Sequence, residues 1–505
     1  MKYNSRYSIY SILYIIGLLN WFLFFNFGEP KFYYEDWPLF HSIYEVWQIS
    51  LKEKTIPFFA NLFSQDSLTH KDAYGTDKFF TKSWSIFQPQ LFLLNFINIK
   101  LFITLNYCLF YTILFYSLTL WINYFKLSTL SSIFLIIVLT LNGKLMSISG
   151  FGHAQMTFGY MLIPSFLWIL NKFIVDEENT FKRLMQLSLF MSLVIQQTDM
   201  HIYYQMFVVG GLIIIFFPKK YKDFFLVFLI SFITSAWYVV PIIFFSSDLN
   251  VYDTAHWRYY GIFGFGFQNG FAGNNLLPYI SHDSYLITLL KFIVNYFLHI
   301  YESAVGFHNA GMPNTHEYNS YISIIGFIII IFFLLNFIYH FFKKNIIIKK
   351  DYYKLLLSCF LILLLSAGPT HFFIIKSIKT LFNFNFPLID AVPSRYYYYF
   401  FNILCIFTAV LYSNYIKDKG FVIKLFFINL NLLLIVILLF HAQSWWITNS
   451  FQLGSQNILP EHMNAEILSK DNNITYKYTV ITSFIFSSMM TLFLIYASFY
   501  KSYKN

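Results

Sequence analysis

The chain has 505 residues, of which 57% are hydrophobic and 11% charged, where a soluble domain carries about 25% charged. That balance excludes a soluble globular domain and predicts a polytopic membrane protein. The net charge of +10 is scattered as Lys and Arg between apolar runs, so it reads as a topology signal and excludes a nucleic-acid surface.

Residues 8–27 form the first apolar run. It is longer than a signal-peptide core and no small-residue cleavage site follows it, so a retained signal anchor is expected. A hydrocarbon core of about 30 Å takes about 20 apolar residues per helix. On that rule, spans are predicted near 8–27, 100–122, 128–146, 155–173, 183–198, 201–217, 222–246, 319–342, 353–368, 395–415, 421–441 and 479–500. The prediction is an all-α bundle of about twelve transmembrane helices, one integral membrane domain over 1–505. Three large loops interrupt it, at 28–89, 247–318 and 442–478. In the first loop Leu39, Ile43, Val46, Trp47 and Leu51 recur at helical spacing, which predicts an interfacial helix. The stretch 284–301 has Lys291 near its middle and is read the same way.

The short turns with Lys126, Lys172, Lys182, Arg183, Lys219, Lys220, Lys343, Lys417, Lys419 and Lys424 all fall on the side of Lys2 and Arg6. By the positive-inside rule both termini are cytoplasmic and the three long loops lie outside, in a bacterial cytoplasmic membrane. Cys108, Cys359 and Cys405 lie inside apolar runs without metal-ligand spacing and read as core thiols. No Walker A, HExxH or CxxC pattern is present. The glycine-rich run 261–270 follows no strand and reads as a loop. No internal repeat is visible.

Three short patterns stand in the later chain: Gly150-Phe-Gly-His153 with Pro164, Trp237-Tyr-Val-Val-Pro241, and Pro387-Leu-Ile-Asp390-Ala-Val-Pro393-Ser-Arg395-Tyr. With the layout of a first span leading into a large acidic outer loop, the chain resembles the GT-C superfamily of integral membrane glycosyltransferases. The three patterns are similar to its YfhO-like branch. Glu35-Asp36 stands where that superfamily often carries an aspartate-x-aspartate motif. The resemblance implies transfer of a sugar from a polyprenyl-phosphate donor to a glycan or lipid acceptor at the outer face, in contact with membrane lipid. No metal ligand set or cofactor is specified, and a divalent metal is an open alternative.

That chemistry needs a base for the acceptor hydroxyl and positive charge for the departing phosphate. Asp36 is the expected base and Glu35 the second candidate. The competing role for Asp36 is to cap the helix that follows it, with Pro38 in the first turn. Arg395 is the expected phosphate clamp, because guanidinium pairs bidentately with phosphate. Its alternative is an interfacial anchor flanked by Tyr396–Tyr399. His153, Asp199, His201 and Asp390 are expected to bind substrate, and Trp445 and Trp446 to form an interfacial belt. If base and clamp flank one sugar, loop one folds back over the late segment around 371–395. A lipid-linked glycan transporter, or a non-catalytic relative in envelope assembly, is the alternative. The one-sided clustering of polar residues favours the enzyme over a transporter.

Overall fold

The computed structural model describes residues 2–28, 37–61, 78–81, 88–150, 152–176, 179–198, 200–245, 321–342, 350–366, 393–447, 465–468 and 473–499. The helices are α1 Lys2–Phe24, α2 Trp37–Glu53, α3 Ile99–Tyr124, α4 Thr129–Thr140, α5 Gly143–Gly150, α6 Ala154–Val175, α7 Thr180–Gln197 and α8 Met200–Ile214. They continue with α9 Tyr221–Thr234, α10 Ala236–Phe245, α11 Ser323–Phe342, α12 Lys350–Ser366, α13 Tyr397–Lys417, α14 Phe421–Ile447 and α15 Ile474–Phe499. The strands β1 Ala60–Asn61 and β2 Glu466–Ile467 form one short antiparallel pair.

Among the described residues, eight helical stretches are long and apolar enough to cross a membrane, with α4 and α5 acting together as one of them. The pair α9 and α10, bent by 75°, makes a ninth if it is one span. The protein is therefore a multi-pass helical membrane bundle. This count is lower than twelve for a physical reason. α8 and the apolar part of α12 are short, and α7 carries Lys182, Arg183, Gln186, Gln196 and Gln197. Large apolar side chains stand exposed on α11, α14 and α15, among them Phe332, Leu335, Leu432, Phe440, Met489 and Leu492. Such a surface suits lipid tails, which are as apolar as the side chains themselves.

Local chemistry sets the helix boundaries. Asn98 accepts from Leu101 N at 2.7 Å and starts α3, and Ser128 starts α4 in the same way. α3 ends with Lys126 in the left-handed region at φ 51°. Leu127 N then reaches Ile122 O at 3.0 Å, and Lys126 N reaches Asn123 O at 3.3 Å.

Contacts far apart in sequence define two ends of the bundle. At the first, Arg6 Nη2 donates to Leu127 O at 2.5 Å and Ser128 N to Ser413 Oγ at 2.8 Å, while Gln186 reaches Ser498 O at 3.3 Å. Lys126, Lys172, Arg183, Lys219, Lys417 and Lys419 lie in or beside its turns, so we call it the basic end. The other is the loop end. There Tyr399 OH donates to Ile202 O at 3.4 Å and Gln88 Nε2 to Gln197 O at 2.9 Å.

The third loop begins later than predicted, because α14 continues through Trp445 and Trp446 to Ile447. Loop 247–318, the stretch 284–301 and the segment 371–392 lie outside the described residues.

Candidate functional site

The loop end is organised around α5, eight residues that are all buried. α4 stops at Thr140, and Asn142 restarts the helix. Its Oδ1 accepts from Leu145 N at 3.2 Å, an N-cap bond to the third helical residue. Its Nδ2 donates to Tyr398 OH at 3.0 Å, which ties α5 to α13. Gly143 N donates to Tyr321 O at 2.9 Å.

Two residues into this helix is Lys144, 0% exposed. Its Nζ lies 5.7 Å from the centroid of Tyr160. Tyr160 in turn packs edge-on against Tyr398 at 5.0 Å. A lysine so deep inside an apolar bundle is costly, which makes Lys144 a candidate functional residue. Sequence reading missed it. Lys144 falls within the span predicted over 128–146 and is not among the candidate site residues singled out there.

The C-terminus of α5 is closed by the first motif singled out in the sequence. Gly152 adopts φ 87°, a conformation that favours glycine. Its N–H bonds Ser149 O at 3.1 Å, and His153 N bonds Ile148 O at 3.2 Å. This is a Schellman closure, and it places His153 half-buried at the start of α6. Trp37 Nε1 donates to Ser149 O at 3.0 Å. The first residue of α2 is thereby fastened to the helix that carries Lys144.

Arg395 lies in the turn Pro393–Tyr396 that opens α13, half-buried. Tyr396–Tyr399 are all buried, so they line the interior. Tyr398 is one helical turn beyond Arg395 and is the residue that meets Asn142 and Tyr160. His201 is half-buried near the start of α8, next to Ile202, whose carbonyl accepts from Tyr399. The structure thus brings Arg395, His153 and His201 to the end that holds Lys144. Glu35, Asp36, Asp199 and Asp390 lie outside the described residues. No group of three or more His, Cys, Asp or Glu that could hold a metal occurs among the described residues.

α2 is the amphipathic helix read from Leu39, Ile43, Val46, Trp47 and Leu51. It buries Trp37, Phe40, Ile43, Tyr44, Val46 and Trp47. Burial, and then the Lys100 ammonium, push His41 down to about 4. Burial raises the Glu45 carboxyl above its ordinary value, and the bond it accepts from Ala465 N at 3.1 Å partly offsets this. The first loop is held by the third. β1 pairs with β2, Leu468 N donates to Phe59 O at 2.9 Å, and Tyr476 OH donates to Phe58 O at 3.1 Å. The fold-back of loop one was expected over 371–395. Residues 371–392 lie outside the described residues; among the described ones, loop one is anchored by Ser149 and by the chain from 465 to 476.

A second polar cluster sits beside α7. Gln88 and Asn106 are buried, while Gln90 and Gln197 are half-buried. Gln90 Nε2 donates to Gln197 Oε1 at 2.8 Å, Asn106 Oδ1 at 3.0 Å and Gln88 Oε1 at 3.2 Å. Asn106 Nδ2 donates to Gln88 Oε1 at 3.2 Å. Comparison of the chain with family models, curated proteins and solved structures gives no match.

Proposed function

We propose that this chain is a GT-C-like membrane glycosyltransferase that moves a sugar from a polyprenyl-phosphate donor to an acceptor at the outer face. In this reading the twelve predicted helical segments all cross the membrane, both termini are cytoplasmic and the loop end faces outward. The observation that carries it is the buried Lys144 in the same tyrosine wall as Arg395. Two cations at one end of an apolar bundle suit an anionic lipid headgroup. Lysine supplies a point charge and arginine a planar fork, and each can pair with a phosphate.

In the transfer step the acceptor oxygen attacks the anomeric carbon, the bond from that carbon to the phosphate oxygen breaks, and the polyprenyl phosphate leaves with the electron pair. The acceptor proton goes to the Asp36 carboxylate. Asp36 immediately precedes Trp37, and Trp37 is pinned to Ser149, five residues along α5 from Lys144. At 1.5 Å per residue that is about 8 Å of helix. One feature favours a transporter instead. α9 and α10 form a broken span, and such breaks line substrate paths in transporters.

The test is transfer from a radiolabelled polyprenyl-phosphate sugar in proteoliposomes. Asp36→Asn keeps the size and most of any capping, and transfer should fall about 10²–10⁴-fold, the scale of general-base loss. Arg395→Lys should weaken donor use, because a point charge replaces the fork. Wild-type transfer in Asp36→Asn would end the catalytic assignment. Translocation of the intact lipid-linked glycan without sugar transfer would replace the enzyme with the transporter.

A further inference from the structure

We propose that the amide cluster of Gln88, Gln90, Asn106 and Gln197 binds the hydroxyl groups of a neutral sugar. The proposal rests on the transferase reading for its choice of a sugar, while the site itself rests on the following geometry. Three separate segments meet here: the turn before α3, α3 itself and the last residue of α7.

The two buried amides are tied into the cluster from both their oxygen and their nitrogen. Gln88 donates to Gln197 O and accepts from Gln90 and Asn106. Asn106 accepts from Gln90 and donates to Gln88. The two half-buried amides each use only one half. Gln90 gives its N–H groups inward, which leaves its carbonyl oxygen as an acceptor with no partner among the described residues. Gln197 accepts inward at Oε1, which leaves its NH₂ with two hydrogens to donate. Gln90 and Gln197 are both half-buried, on the more exposed side of the cluster.

The cluster therefore presents one fixed acceptor and one fixed donor, side by side and without charge. A hydroxyl both donates and accepts, so two neighbouring hydroxyls on one ring satisfy both groups at once. Phosphate would satisfy only the NH₂ and would meet the Gln90 oxygen unfavourably. Both amides are held by bonds at 2.8–3.2 Å, so little side-chain entropy is lost on binding. Asn106 is followed by Tyr107, whose ring lies 6.4 Å from that of Trp37.

The experiment uses the purified full-length protein in a zwitterionic detergent. Binding of the methyl glycosides of glucose, galactose, mannose and N-acetylglucosamine is followed by saturation-transfer NMR, with cyclohexanol as control. Saturable binding of at least one glycoside, and none of cyclohexanol, is expected. Gln197→Glu keeps an inward oxygen acceptor and replaces only the outward NH₂. It should weaken that glycoside about tenfold, the upper range for one neutral hydrogen bond, with an unchanged Tm. If no glycoside binds saturably, or if Gln197→Glu binds it as the wild type does, the proposal is wrong and the cluster is a structural clasp. Glycoside binding in a protein that transfers no sugar would leave this site standing and the transferase reading fallen.

Discussion

The basic end and the loop end both place cations over aromatic rings, yet they do so at different depths. At the basic end Lys172 lies 4.8 Å from Trp168 and 5.2 Å from Tyr124, and Lys419 lies 4.5 Å from Tyr415. Arg183 pairs with Asp176 at 2.8 Å, each about a quarter or less exposed. These side chains are long enough to keep their charge near water while their stems cover the bundle. At the loop end Lys144 has the same ring-facing geometry at 5.7 Å, in a helix with no exposed residue. A cation that reaches water is an anchor. Lys144, 0% exposed, does not reach it.

The sharpest way to break this contrast is to remove one charge at each end. Lys144→Met should lower donor use about 10–100-fold, from the 1.5–3 kcal/mol of a hydrogen bond to a charged group. Met is an apolar side chain of similar length, so the protein should still insert and fold, which a thermal melt checks. Lys172→Met should leave donor use unchanged and cost about 0.5–1 kcal/mol, the worth of an exposed cation–π contact. Equal effects of the two on donor use would reduce the difference between the ends to packing.

Acid should act on the two ends differently. His41 titrates near 4 in the folded chain against 6.5 for the free group. Between those values the unfolded chain binds the extra proton, so this stability is present above pH 6.5 and is lost as pH falls towards 4. From pH 6.5 to 5 the loss is about 1.5 kcal/mol, since the unfolded imidazole is only half protonated at pH 6.5. Denaturation midpoints measured across that range should fall, and His41→Gln should flatten the curve. At the basic end the Arg183 hydrogen bond holds the Asp176 carboxyl below its ordinary value, so Asp176→Asn should leave the slope over this pH range as it is. A wild-type slope in His41→Gln would place the acid sensitivity elsewhere.

The smallest effect belongs to the turn at the basic end. Lys126 is an exposed lysine at φ 51°. Lys126→Gly relieves about 1–2 kcal/mol of left-handed strain and gives back part of it as chain entropy. Thermal unfolding should show a gain of about 0.5–1 kcal/mol with transfer unchanged.

The elements were legible because their signals are local. Apolar runs of span length became helices, the pattern from Leu39 to Leu51 became α2, and the Gly150-Phe-Gly-His153 motif became a helix closure with His153 at the loop end. What the sequence hid is long-range or inverted in burial. Lys144 lies inside the predicted span 128–146, and its full burial comes from packing that no local pattern shows. The 75° break between α9 and α10 occurs at Ser235, without a glycine or proline at the break to announce it. The pairing of Ala60–Asn61 with Glu466–Ile467 is two residues long, too short for an alternating pattern. The amide cluster joins residues up to 109 positions apart, so no window along the chain contains it.

α15 is the feature with the widest consequence. Its Ser487 hydroxyl accepts from Trp237 N at 2.9 Å and so completes the start of α10 after the break. Its Tyr476 hydroxyl, which donates to Phe58 O, also accepts from Phe80 N at 3.0 Å, and Ser498 O accepts from Gln186. Synthesis runs from the N-terminus, so these partners wait through most of translation for a helix that emerges after every other described one. Until it arrives, a backbone amide at the α10 break and the first loop both lack their clasp. Assembly is therefore gated from the far end of the chain. A ribosome stalled before residue 474 would leave both ends without their α15 contacts, the Gln186 bond at the basic end and the Tyr476 clasp on the first loop.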